Sequence, residues 1–248
     1  MNGLWAKIHK WLALLMAIQI LLWFVSGLFF ALVPIERVRS EHAIAQRPAE
    51  PVALNVAAAG LERLAAQGLR TGESVQIRSL LGRPVALVGG GTERPLLFDL
   101  ATGRRISPLP AALAARIAEG DHRGAVRAAR VERITENSPE YRGVLPAWRV
   151  DFDDGANRSL YVAADTGTVL ARRSTLWRVY DFLWGLHIMD WRGHENFNSP
   201  LLIVATALGL VVVVAGIVML PSRIGYTAWR RRRRSLNAAR RSSGARRG

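Results

Sequence analysis

Two long stretches of the chain carry no charge, and the segment between them changes period. Residues 11–33 are 23 positions without a charged side chain, with Gln19 and Ser26 as the plainly polar interruptions, and residues 201–220 are a second uncharged run of 20. At about 1.5 Å of rise per residue the first run makes a helix roughly 34 Å long, enough to cross a hydrocarbon core of about 30 Å with slight tilt. Pro34 and Pro221 close the two runs, and Ser199-Pro200 opens the second with a capping hydroxyl and a proline at the first helical position. The pattern predicts two membrane spans. The first reads as an uncleaved anchor, because its apolar run is longer than a signal-peptide core and no small-residue cleavage site follows Pro34.

Between the spans the alternation is that of strands. Trp148, Val150 and Phe152 alternate with Arg149, Asp151 and Asp153, the period of a half-buried strand. Further strands are expected at 75–80, 83–88 and 131–136. Segments 94–103 (RPLLFDLATG) and 158–167 (RSLYVAADTG) align at an offset of 64, with Arg, Leu, Thr and Gly coinciding. An alanine-rich helix precedes each strand set, at 56–67 and 111–119. Gly89-Gly90-Gly91 and Asp154-Gly155 read as hairpin turns, and Thr102-Gly103 and Thr166-Gly167 as the turns that follow. Asp151, Asp153, Asp154 and Asn157 suggest a calcium loop, but Gly155 stands where a ligand is required. The triple glycine has no Lys-Ser/Thr after it and opens no helix, which excludes a phosphate loop.

The expected fold class is therefore a membrane α+β protein: two transmembrane helices flanking an extracytoplasmic domain of two duplicated units, each a helix plus an antiparallel sheet. The expected divisions are a cytoplasmic N-terminus at 1–10, a first span at 11–33 and a domain at 34–173 with repeats at about 50–108 and 109–173. An amphipathic interfacial helix and linker at 174–199, a second span at 200–220 and an arginine-rich cytoplasmic tail at 221–248 complete the chain.

Composition narrows the chemistry. With no cysteine in 248 residues, disulfides, iron–sulfur clusters, thiolate zinc sites, covalently attached haem and a cysteine nucleophile are all excluded. A net charge of +15 raises nucleic acid as a partner, but the charge is terminal. All 19 acidic residues lie between Glu36 and Glu195 and face 22 arginines there, whereas Lys7, Lys10 and ten arginines from Arg223 onward stand without any acid. Positive charge flanking both spans places both termini in the cytoplasm and residues 34–199 outside. The tail then reads as a stop-transfer anchor with a disordered end. Contact with anionic lipid is its other reading, and nucleic acid is disfavoured because no aromatic residue follows Trp229 to stack on bases.

Candidate chemistry gathers before the second span. Trp177, Trp184 and Trp191 recur every seven residues, with Tyr180 and Ile188 on the same helical face, as in a helix lying at headgroup depth. His187 shares that side, and Asp190 and His194 follow at i+3 and i+7. On a continuous helix the three line one face, with His187 as a metal or haem-iron ligand, His194 as a second metal ligand and Asp190 as the acceptor that orients an imidazole. A histidine simply hydrogen-bonded at the interface is the alternative, and Gly193 is a place for the helix to end before His194. No His-Glu-x-x-His motif supports a zinc hydrolase. His9 is a second juxtamembrane candidate. It lies a bilayer thickness from His187, so one haem cannot be clamped by both histidines of one chain, whereas two subunits or a four-helix assembly pair like with like. Ala205, Gly209, Gly216 and Ser26-Gly27 permit close helix contact. His42 and His122 read as solvated surface residues.

These residues resemble a family. His9-Lys10-Trp11-Leu12 running into Leu22-Trp23-Phe24-Val25-Ser26-Gly27, the repeated helix-plus-sheet unit, and Trp184-x-x-His187 followed by Asp190-x-Arg192-Gly193-x-Glu195-Asn196-Phe197-Asn198 look like PepSY-associated transmembrane proteins. The resemblance covers nearly the whole chain except the arginine tail. It implies a bacterial inner-membrane protein with a periplasmic domain of two PepSY units. Larger four-span relatives are similar to haem-containing reductases of ferric siderophores, which implies b-type haem held by histidines matching His9 and His187. With two spans in place of four, such binding requires a homodimer or a partner membrane subunit. PepSY units also occur in propeptides of thermolysin-like metallopeptidases, which implies an alternative: a non-catalytic periplasmic module that binds or restrains a peptidase, peptide or envelope partner. Both readings stay open on the sequence, as does whether the chain is an enzyme; the lipid bilayer is a partner in either.

Overall fold

The computed structural model describes residues 2–45, 50–68, 74–89 and 94–223. Gly90 and Gly91 of the expected triple-glycine turn, and the tail beyond Arg223, lie outside the described residues. Helix α1 runs uninterrupted over Asn2–Leu32, because nothing in it breaks the ladder before Pro34. Within it and within the last helix, Pro200–Arg223, the segments Ala6–Leu32 and Pro200–Leu220 are long and apolar enough to cross a membrane. Ser199 caps the second as expected, its hydroxyl accepting the Leu202 N–H at 3.2 Å.

The chain divides into two compact units, Met1–Phe29 with Trp184–Gly248, and Phe30–Leu183. In the second, a short helix α2 (Ile35–Val38) and a 3-10 turn (Glu41–Ala43) lead to helix α3 (Leu54–Ala66). Strands β1 (Ser74–Leu80), β2 (Arg83–Gly89) and β3 (Leu96–Asp99) then form an antiparallel meander. Helix α4 (Ala111–Asp121) is followed by β4 (Ala128–Ile134), β5 (Ala147–Phe152), β6 (Ser159–Ala163) and β7 (Val169–Arg173), again in chain order. Alternation decides which face each strand buries. Val85 and Leu97 on one face of the first sheet join Ile117 and Ala118 of α4 and Val150, Phe152, Leu160 and Val162 of the second sheet in one core. The other face of the first sheet buries Ala86, Val88 and Leu100 against Leu64 of α3. Gly60 makes that second contact possible, since a Cβ there would lie 2.5 Å from Leu100 Cδ2.

The turns aligned in the sequence share one geometry. Gly103 and Gly167 have φ of 73° and 69°, and their N–H groups reach Asp99 O and Ala163 O at 2.7 and 2.9 Å. The strand pairs before them differ in register: Ala86 faces Phe98, whereas Val150 faces Leu160. The first sheet has only a bridge from Phe98 to Arg105 where the second has β7. The acidic loop is a hairpin turn, with two of its carboxylates engaged within the chain. Asp154 accepts the N–H groups of Ala156 and Arg158 at 3.1 and 3.2 Å, and Asp151 accepts from Arg149 and Ser159.

Helix α5 (Thr175–His187) follows β7, with the Ser174 hydroxyl capping the Trp177 N–H. It corrects the expectation of a helix carrying His187, Asp190 and His194 on one face: α5 stops at His187, and Met189 and His194 take left-handed backbone at φ 55° and 56°. Trp191 therefore lies beyond the helix that holds Trp177 and Trp184. The last helix, α6, is Pro200–Arg223.

Candidate functional site

The site is built around Ser26, the one serine of the first apolar run. Its hydroxyl bonds back to the Leu22 carbonyl one turn earlier at 2.6 Å, the ordinary use of a serine inside a helix. With the hydroxyl proton committed there, the oxygen accepts, and His187 Nδ1 lies 2.7 Å from it. The imidazole therefore carries its proton on Nδ1, and Nε2 carries the lone pair. Trp23 fixes the same residue from its backbone, its indole N–H donating to the His187 carbonyl at 2.8 Å. The Trp184 ring stacks nearly parallel to the imidazole with centroids 6.4 Å apart. Burial pushes the His187 pKa down, so the ring is neutral near pH 7.

The residues after α5 tie a knot around Asp190. Its carboxylate accepts N–H groups of Gly193, Glu195 and Asn196 at 2.9 to 3.0 Å. The amides of Asn196, Glu195 and Gly193 hold that carboxyl well below the ordinary range. Gly193 is required, since a Cβ would sit 2.6 Å from Asp190 Oδ2. Gly185 is required as well, because a Cβ on it would meet the His194 ring at 2.5 Å. The His194 carbonyl accepts the Trp184 indole N–H at 3.1 Å, and Phe197 packs edge-on against the same indole. The orienting acceptor at His187 Nδ1 is thus Ser26, while Asp190 shapes the loop that holds His194. Among the described residues no three His, Cys, Asp or Glu side chains gather as a metal-ion site.

His9 repeats the logic of His187 at the other end of α1. Its Nδ1 is 2.9 Å from the Val212 carbonyl, which only accepts, so the proton is again on Nδ1. Gly216 gives it room, a Cβ there lying 3.3 Å from His9 Cε1. Between these levels α1 and α6 frame an apolar groove of about 400 Å³ lined by Ile20, Trp23, Phe24, Gly209, Leu210 and Val213 with Thr206.

Of the two remaining histidines with sequence expectations, His42 is exposed as anticipated. His122 is not the solvated residue expected: its side chain is 9% exposed and lies 3.3 Å from Asp154 and 3.1 Å from Arg158. The Gly124 N–H donates to His122 Nδ1, which leaves the proton on Nε2 facing Asp154. Sequence reading also missed Ser26 and Trp23 as partners of His187. Ser26 had left a signal, as one of two polar residues in an apolar run.

Two apolar helices of spanning length and two antiparallel sheets define a membrane α+β protein with juxtamembrane histidines. The PepSY-associated TM region matches residues 6–246, nearly the whole chain, and the protein belongs to that family. Among curated proteins and solved structures nothing matches.

Proposed function

We propose that this membrane protein serves electron transfer by holding b-type haem through Nε2 of His187, and through Nε2 of His9 at the opposite end of α1, with like histidines of two copies supplying paired ligands. The observation that carries this reading is the shared tautomer: both rings have Nδ1–H engaged by an acceptor, Ser26 Oγ or Val212 O, as ligating histidines do. The donor set fits haem better than a bare ion, since each level offers one imidazole beside apolar side chains. Bound haem would supply a one-electron couple. Ser26 and Val212 orient the rings, Trp184 packs beside His187, and the apolar groove excludes water. Residue 9 and residue 26 lie about 26 Å apart along α1, which separates the two levels and calls for a homodimer or a partner subunit to complete each ligand pair. In this reading the termini are cytoplasmic, the α+β unit is periplasmic in a bacterial inner membrane, and the electron acceptor is a ferric siderophore.

The test is a reduced-minus-oxidised visible spectrum of the chain purified in mild detergent from haem-replete cells, beside His187→Ala and His9→Ala. Sharp bands of a six-coordinate b-type haem, diminished in each variant, are expected. A folded, colourless protein ends the reading.

A further inference from the structure

A second site lies within the α+β unit, on the α4 side of the first sheet. A cavity of about 300 Å³ opens there over an apolar floor that includes Leu80, Val85 and Leu113, with Val85 fully buried. Four arginines line it: Arg83 at the start of β2, Arg104 and Arg105 after the Gly103 turn, and Arg116 on α4. Its carboxylate, Asp99, is committed to the turn, Oδ1 accepting the N–H groups of Ala101 and Thr102 at 2.9 and 3.0 Å. Arg105 gives Nε to the Ser107 carbonyl at 2.9 Å. Among the described residues Arg83, Arg104 and Arg116 meet no carboxylate at ion-pair distance. Several arginines elsewhere in this unit are paired, as Arg158 with Asp154, Arg172 with Asp121 and Arg178 with Glu140, and Arg63 donates to the Leu100 carbonyl.

The fold does not ask for these charges. At the offset of 64 that relates the two Thr-Gly turns, Arg104 and Arg105 correspond to Thr168 and Val169, and the second sheet forms without them. Gathering like charges about one concavity raises the energy of the free protein, and a bound anion relieves it.

We propose that this cavity binds a small organic polycarboxylate with a compact apolar skeleton. Guanidinium forks match carboxylates two bonds at a time, and several of them around one cavity match several carboxylates. The buried apolar floor separates such a ligand from an inorganic oxyanion, which leaves it uncovered. The volume is at the lower end of small-ligand cavities and suits a small molecule. The site is independent of the haem reading and stands or falls apart from it.

The experiment is calorimetric titration of the full chain in uncharged detergent with trimesate, three carboxylates on one benzene ring, against benzoate and pyrophosphate. Trimesate is expected to bind saturably, more tightly than either control, and to weaken with added salt. Arg104→Gln and Arg116→Gln, both at exposed positions, should each weaken it roughly tenfold, the effect of losing one charge-assisted pair. Arg130→Gln, which removes a guanidinium paired to Glu132 on β4, should leave it unchanged. Absence of saturable trimesate binding up to about 10 mM overturns the proposal. So does equal affinity in Arg104→Gln and Arg116→Gln with thermal stability intact, or pyrophosphate binding as tightly as trimesate, which would mark a plain oxyanion site.

Discussion

At the scale of single residues, two hydrogen-bonded networks set the outcome of substitution. Ser26→Ala removes the acceptor of His187 Nδ1–H while leaving α1 a better helix former. On the haem proposal, the expected result is a helix of unchanged thermal stability whose haem content, measured by pyridine haemochrome, falls towards that of His187→Ala; full haem content in Ser26→Ala would dismiss the orienting role. In the α+β unit Asp154 is 4% exposed and faces both Arg158 and His122. Asp154→Ala leaves a buried guanidinium without its counter-charge, a loss of about 3 kcal/mol that thermal denaturation would register. The sequence revealed little of this second network, because Asp154 reads there as turn chemistry and His122 as a loop residue; their burial depends on Phe152 and α4 arriving from elsewhere in the chain.

At the scale of elements, alternation made β5 legible, since a strand with one face in a core must repeat every second residue, and the aligned segments with their turn residues pointed to β1, β2 and β6. The helix that carries His187 was legible only at its start. Its seven-residue tryptophan spacing continues past His187, but Asp190 captures the amides of residues 193–196 and turns the backbone away, a competition that periodicity does not register. Asp190→Ala should therefore expose residues 191–198 to limited proteolysis while the far-ultraviolet helical signal holds; unchanged cleavage would show that the loop is held by Trp184 and Phe197 alone. Between sheet and helix, Glu140 is half-buried, which pushes its pKa up, yet Arg178, Arg149 and Tyr161 outweigh that and hold it below the ordinary value. Asp154 behaves likewise, burial being outweighed by Arg158. Carboxyls depressed in the folded state favour folding above their unfolded pKa and lose that contribution as the pH falls through the folded one. The α+β unit should thus lose stability below about pH 4. For His187 burial disfavours the charged form, so protonation of the unfolded ring draws the equilibrium away from the folded state already below about pH 6.5. Thermal scans across pH should show these as two separate declines.

At the scale of the whole molecule, the two spans followed directly from apolar run length, because a bilayer imposes one dimension on any helix that crosses it. The domain expected from the sequence spans 34–173, and the compact unit spans Phe30–Leu183. The core of Phe30–Leu183 closes on itself through α4, which contributes Ile117 and Ala118 to a cluster shared by both sheets. Residues 34–183 expressed alone should therefore give a single cooperative thermal transition; a broad, non-cooperative melt would mean that the membrane segments are needed to complete the core. The matching turns were visible, and the shifted register of β5–β6 and the extra strand β7 were not, since pairing partners are set by loop lengths and core fit.

The proton positions on His9 and His187 follow from acceptors built into the polypeptide, Val212 O and Ser26 Oγ, before any ligand arrives. Nitrogen magnetic resonance should accordingly report two rings locked in one and the same tautomer in the bare protein, in place of the mixture a freely hydrated imidazole shows. On the haem proposal, such a chain would meet its cofactor with the ligating nitrogens already selected, and the cost of selecting a tautomer would fall on folding instead of on binding.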